Sequence, residues 1–420
     1  MKKLPTSRRR GFAVPLAMIA IMMLLAMGMG LLNLGLTSRT YSARSAADIT
    51  ARCAADAGLT RALFEMNEKL KTKPWSDGVL PAMASQPLSS CDATFSYEVV
   101  SSADGYVIGC VGKSGNAEKR IYAEIKLQGL FEHAILTKSS LVLKSGTIVD
   151  GYNSADPLDV DADVDIGTQS IASMSIYLNM GVDVDGNVIV GVGGDPDTAI
   201  KDLGAATKGK YAATSKDPLP QITPPSLTLM GTTISAKGET VTLTPADSGQ
   251  YGNISLTKGG SEVGILEVTG GDVVLYITGD IDLGQSCEIV VKDDATLTLY
   301  VDGDIHCSEN SGVNSEAPPE EASALRLFGT SDGSQDFDIK AKSAWTGVIY
   351  APNADIDLYA KGDAYGSVVA NTFEFKSGGA YHYDEALRDV ETDDEGVRFV
   401  VTRWHEGDYD SSVFGAELGI

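Results

Sequence analysis

Asp159, Asp161, Asp163 and Asp165 alternate with Val160, Ala162, Val164 and Ile166. An extended chain carries such a run with its four carboxylates along one edge, the hard oxygen donors that calcium prefers. The spacing is not that of an EF-hand loop, because Ile166 stands where the loop glycine belongs and Ala172 where its bidentate Glu belongs. A strand with one solvated acidic face is the competing reading. Asp280 and Asp304 occupy equivalent places in two copies of an internal repeat, so stacked copies bring them about 5 Å apart, a like-charge pair that favours a cation or a raised pKa. Against this, Gly-Asp is a common turn whose carboxylate caps its own backbone. The four histidines, His133, His306, His382 and His405, have no partner motif, and neither G-x-S-x-G nor H-E-x-x-H occurs, so a β-rich glycan-cleaving enzyme would rest on carboxylates that no motif singles out. The expectation is no enzyme and no cofactor beyond a weak calcium candidate.

Five cysteines in 420 residues, without a C-x-x-C pair, make neither a disulfide scaffold nor a zinc array. Cys91 with Cys110 and Cys287 with Cys307 are the candidate bridges for an oxidising compartment. Register weighs against each pairing without removing it as a candidate. A hairpin turning at Asp104-Gly105 places Cys110 opposite residue 98 or 99, and the repeat displacement of 24 places Cys307 beside Leu283. Cys53 falls on a helical stretch and reads as a small packing residue.

The elements that carry these residues differ along the chain. Residues 92–128 alternate apolar and polar around Asp104-Gly105 and Ser114-Gly115-Asn116, the pattern of a three-stranded antiparallel meander. From Phe131 onward, strands of four to seven residues rich in Val, Ile, Leu and Thr are separated by Gly, Asn and Asp turns. Leu275-Tyr276-Ile277-Thr278-Gly279-Asp280-Ile281-Asp282-Leu283 recurs 24 residues later from Leu299, and Gly347-Val348-Ile349-Tyr350-Ala351 recurs 19 residues later from Gly366. Periods of that size predict a right-handed β-helix-like domain over 131–390, with a β-sandwich as the alternative. Pro218 to Pro225 interrupts it as a crossing loop or hinge.

Charge divides the chain as sharply. The net charge is −24, yet residues 1–52 hold eight Lys or Arg and one acid, Asp48, so the remainder carries −31. A body that acidic repels phosphate backbones, which excludes nucleic acid as its partner. From Phe12 to Leu36 there are 25 residues without a charge, about 37 Å of helix against about 30 Å of hydrocarbon. Lys2, Lys3, Arg8, Arg9 and Arg10 precede that span, which places the N-terminus in the cytoplasm and the body outside the inner membrane, periplasmic or at the cell surface. The apolar run is too long for an ordinary secretory signal, and Leu59, Leu63, Met66 and Leu70 continue the helical period to Pro74. A helix from about Phe12 to Lys71 follows.

Arg8-Arg9-Arg10-Gly11-Phe12 resembles a type IV prepilin leader, which a prepilin peptidase cuts after the Gly. Cleavage between Gly11 and Phe12 would leave Pro15 in the first helical turn, where its missing N–H has no partner to lose. Ala54-Ala55-Asp56-Ala57-Gly58-Leu59 resembles the alanine-rich stretch of the PilX N-terminal family and of the K-type minor pseudopilins of type II secretion. Major pilins carry Glu where this chain has Leu16, so the resemblance implies a minor subunit and not a shaft subunit. Ala134 to Leu136, Val149 to Ser154, Gly191 to Pro196, Ile349 to Ala354 and Tyr383 to Leu387 further resemble, over about 131–390, a domain of unknown function joined to PilX-type N-termini.

The organisation expected is therefore α+β: leader 1–11, transmembrane segment 12–36 bounded by Phe12 and Leu36, helix continuation 37–73, pilin-like head sheet 74–130, β-helix-like surface domain 131–390 and tail 391–420. The function implied is a minor pilin-like structural component of a type IV pilus or a type II secretion pseudopilus. Its implied partners are other pilins or pseudopilins, the prepilin peptidase, the inner-membrane assembly platform and surface glycans. A membrane-anchored adhesin or polysaccharide-binding module is the alternative.

Overall fold

The computed structural model describes residues 13–102, 105–156, 162, 164–315 and 318–407. It divides into two compact units, 1–127 with 399–420, and 128–398.

The first unit is a single helix laid on an antiparallel sheet. The helix Ala13–Leu70 runs 58 residues, about 87 Å. Its sheet-facing seam is built from small side chains, Ala51, Ala54, Ala55, Gly58 and Ala62, before Met66 and Leu70 close it. The leucines of the expected stripe, Leu59 and Leu63, are only half-buried. The reason lies across the interface, where helix and strand backbones nearly touch. A Cβ on Gly112 would sit 2.0 Å from the carbonyl oxygen of Ala51, and one on Gly58 would sit 3.3 Å from the Phe95 ring. The sheet runs Ala82–Pro87, Ala93–Ser102, Gly105–Ser114, Ala117–Gln128, then Arg398–Glu406. The middle three are the expected meander. The last strand lies inside the expected tail 391–420; Asn67 pins it to the helix by accepting from Phe399 N at 2.8 Å and donating to Phe399 O at 3.2 Å. Phe399 then packs with Trp75 and Tyr106, ring centroids 5.6 and 5.3 Å away.

In the second unit the named strands pair in parallel. Going from neighbour to neighbour, one continuous run of strands reads Leu229–Lys237, Gly249–Thr257, Gly271–Ile277, Ala295–Val301, Leu325–Gly329, Trp345–Ala360, Ala364–Phe375, Ile135–Leu143, Val164–Thr168, Asp183–Val190, Ala206–Ala212. Order in space is thus a circular permutation of order in sequence. The chain enters in the middle at Ile135, proceeds to one end at Ala212, crosses to the opposite end at Leu229, and returns to the middle at Phe375. The two sequence repeats are in-register neighbours, Leu275 beside Leu299 and Gly347 beside Gly366. Strand alternation turns one row inward: Leu275, Leu299, Leu327, Ile349, Val368, Ile135, Ile166 and Val188 are each fully buried. At about 1.5–3 kcal/mol per buried aliphatic side chain, such rows are the main source of stability.

The expected right-handed β-helix is not the architecture found. After the helix the chain is mostly β, 49% strand overall, and its parallel strands close into an eight-stranded barrel. The ring runs from Gly249–Thr257 through Gly271–Ile277, Ala295–Val301, Leu325–Gly329, Trp345–Ala360, Gln335–Ala341, Ile305–Cys307 and Ile281–Leu283 back to Gly249–Thr257. Closure comes from the strands Gly249–Thr257 and Trp345–Ala360, each long enough to pair with two strands on the same side. A repeat period fixes which residues are neighbours; it does not say which strands bend to serve two partners. The β-sandwich alternative fails too, because sandwiches are built from antiparallel sheets.

Candidate functional site

The helix offers the first candidate surface. Among the described residues it is the one helix long and apolar enough to cross a membrane. From 13 to 36 every residue except Gly28 is exposed, including Leu16 and Leu36, so this half is not covered by any of the described residues. Pro15 lies in the first turn, where the backbone N–H groups have no intrahelical acceptor. The expected processing residues Gly11 and Phe12 lie outside the described residues.

The carboxylate candidates are engaged within the fold. Asp280 and Asp304 do stack, but each carboxylate serves the next strand's backbone: Asp304 N donates to Asp280 Oδ1 at 2.9 Å and Asp336 N to Asp304 Oδ1 at 2.8 Å. Asn253 begins the ladder by accepting from Asp280 N at 2.9 Å. Gly303 is required beside it, since a Cβ there would lie 2.3 Å from Asp280 Oδ1. Capping of a neighbouring strand therefore replaces both sequence readings, the cation pair and the self-capping turn. Asp165 accepts from Asn187 Nδ2 at 3.0 Å, while Asp159, Asp161 and Asp163 lie outside the described residues. No group of three metal-ligating side chains occurs among the described residues.

All five cysteines are free thiols. Tyr97 faces Cys110 across the hairpin and Leu283 lies beside Cys307, so neither Cys91 nor Cys287 is the register partner of the cysteine it was matched with. Burial pushes the Cys307 thiol up to about 11. His306 sits between Asp282 and Asp338 on an outer row. His382 stacks on Tyr365 at 4.6 Å, hydrogen-bonds Asp150 through Nδ1 and faces Asp363 at 3.9 Å through Nε2. Burial lowers the His382 pKa, but the two carboxylates outweigh it and the net shift is upward.

A further feature lies on the outer face of the β unit, running from the barrel strands onto the strands beyond them. One place beyond the buried row runs a second row: Tyr276, Tyr300, Phe328, Tyr350, Val369, Leu136, Gly167, Ile189 and Tyr211. The strap 213–228 crosses the unit over this row. Leu219 and Ile222 cover its middle, and Tyr350 Oη donates to Pro220 O at 2.8 Å. Where the row reaches Gly167, at which a Cβ would sit 2.6 Å from the carbonyl oxygen of Ile189, a cavity of about 520 Å³ is lined. Leu136 and Ile189 form its floor, Ile171, Val192 and Tyr211 its walls, and 213–217 its roof. His133 Nε2 meets Asp217 Oδ2 at 3.1 Å, and this contact, opposed by burial, holds the Asp217 carboxyl below its usual range. Gln169 Nε2 donates to Asp217 O at 2.6 Å and Ala213 N to Val190 O at 2.8 Å, so the roof is fixed at both ends. The row, though not the cavity, is legible in the sequence as an aromatic or aliphatic residue one place after most inward aliphatics.

Residues 225–390 match the family model of a domain of unknown function, DUF7305. No curated protein matches the chain. The crystal structure of the competence-associated pilin ComZ from Thermus thermophilus is similar over 86% of this chain and 97% of that chain, at 14% identity and a TM-score of 0.21; a score of that size defines no common arrangement of elements.

Proposed function

We propose that the chain is a pilin-like minor structural subunit, held in the inner membrane by the apolar half of its helix and presenting the parallel β unit outside. One observation carries the reading: a single unbroken helix joins an exposed, uncharged segment to a small-residue seam packed on an antiparallel sheet. In water such an apolar helix would expose a surface far larger than a monomer tolerates, so it belongs in lipid or among other helices. Cleavage after Gly11, partnership with other pilins or pseudopilins, and a role in assembly and display without catalysis all belong to this reading. The deciding measurement is N-terminal sequencing of the mature protein from cells with an active prepilin peptidase. A chain beginning at Phe12 is expected, and intact Met1 would sink the reading. A surface binding module is the second reading, favoured by the outer-face cavity.

A further inference from the structure

We propose that the cavity between Leu136 and Tyr211 binds a carboxylated sugar ring, the apolar face of the ring lying on Tyr211 and its carboxylate meeting Lys216. This does not depend on the pilin-like reading, because it rests on the β unit alone.

The size suits a small ligand, since such pockets run from roughly 300 to 1,000 Å³. The lining has two characters. Ile171, Ile189, Val192 and Tyr211 supply an apolar side; Gln169 and Lys216 supply a polar one. An alkyl chain would leave the polar side desolvated and unpaired, at a cost, and a small inorganic anion would leave the apolar side unused. A pyranose ring has one face of C–H groups and an edge of hydroxyls, so it matches both. Tyr211 is a fixed platform: its ring folds back over Gly209, where a Cβ would lie 2.4 Å from it, yet the residue remains 57% exposed. An aromatic ring held by its own strand with one face open stacks without a large entropy loss.

Charge selects the acid form. The chain carries −24 overall, but among the described lining residues the one carboxylate, Asp217, is already taken by His133. Lys216 forms no ion pair with a described residue, and Lys138 near it donates to the neutral amide of Asn353 at 2.6 Å. Burial and the neighbouring Lys216 charge both lower the Lys138 pKa. Lys216, exposed at the roof of the cavity, is therefore the cation that a bound carboxylate would meet.

The test uses the full chain in detergent, titrated with glucuronate, galacturonate, glucose and acetate by calorimetry or saturation-transfer NMR. Saturable binding of a uronate is expected at about millimolar Kd, about tenfold tighter than glucose, with no saturable binding of acetate. Lys216→Gln should bring the uronate down to the level of glucose. Tyr211→Ala should abolish binding of both sugars, and Tyr211→Phe should keep it. The proposal is overturned if neither uronate saturates at about 10 mM, if acetate competes as well as a uronate, or if Tyr211→Ala binds like the parent. Both variant sites are exposed, and a thermal melt matching the parent's confirms that each variant is folded.

Discussion

The strap between Ala212 and Leu229 should be nearly taut, and shortening it should release one end of the β unit. It joins the two ends of a run of eleven strands, so it spans ten interstrand spacings, about 48 Å at about 4.8 Å each. Seventeen residue steps at the polyproline rise of about 3.1 Å reach about 53 Å, which leaves little slack. Pro218, Pro220, Pro224 and Pro225 hold the segment near that extension and lower the entropy lost in keeping it there. Deleting Thr223–Ser226 leaves thirteen steps, at most about 44 Å even at about 3.4 Å each. That spans nine spacings, not ten. The strand Leu229–Lys237 must then leave Gly249–Thr257, exposing Ile234 and Ala236 and breaking seven register pairs. Two apolar side chains and a ladder of hydrogen bonds of about 1 kcal/mol each put the loss at several kcal/mol, all of it at that end. Native-state hydrogen exchange should show residues 229–237 losing protection while Ile166 and Val188 at the far end keep theirs. Four glycines in place of Thr223–Ser226 keep the length and should cost far less. Full protection of 229–237 in the deletion variant would refute the taut strap, and with it the permuted strand order.

Three further outcomes follow from particular contacts. His382 has a folded pKa raised above its unfolded value, so its contribution is complete below about pH 6.5 and is lost as pH rises through the folded pKa; thermal melts should show the parent's advantage over His382→Gln narrowing as pH rises from about 6 to 8.5, and a gap that widens would refute the assignment. Gly112→Leu drives a side chain into the Ala51 and Ala55 backbone, and should cost at least about 1–3 kcal/mol by denaturant titration without weakening sugar binding. Of the five thiols, Cys53 and Cys91 are exposed and should react with a thiol reagent in the native protein, whereas Cys110, Cys287 and Cys307 should react only on unfolding; fewer than five thiols after denaturation without reductant would reveal a bridge.

What the sequence disclosed, and what it hid, divides along the range of the interactions. The long helix and the meander depend on periods of a few residues, and those are written locally: the apolar run, Asp104-Gly105, Ser114-Gly115-Asn116. The repeats were legible because Leu275 and Leu299, or Gly347 and Gly366, are near copies that neighbour each other in space. The leucine period marks the helix but not its sheet-facing seam, which is set by how closely Gly112 lets two backbones approach. The strand Arg398–Glu406 alternates Phe399, Val401 and Arg403 with Val400, Thr402 and Trp404, but its partner Ala117–Gln128 lies far away along the chain. The outer-face cavity was illegible for the same reason, since its floor, wall and roof come from Leu136, Ile171, Tyr211 and Asp217, which share no local pattern.

The permuted order also explains where the family match stops. Residues 225–390 begin at the end of the strap and finish just after the strand Ala380–Asp384, so the matched segment is one of the two runs that make up the β unit. Taken alone, that run would end on the strand Ala364–Phe375, whose outer edge pairs with Ala380–Asp384 at Ala364 and Tyr365 but would present unpaired backbone groups from Val368 to Phe375. Here the strand Ile135–Leu143 covers that edge, with Val368 beside Ile135 and Phe375 beside Leu143. The run from Ile135 to Ala212 therefore caps the matched segment, and in doing so it brings Leu136, Gly167, Ile189 and Tyr211 into line with the aromatic row. The cavity is lined by residues of that cap and of the strap that follows it. Hence the matched segment supplies the barrel, and the ligand site belongs to the part of this chain that lies outside the match.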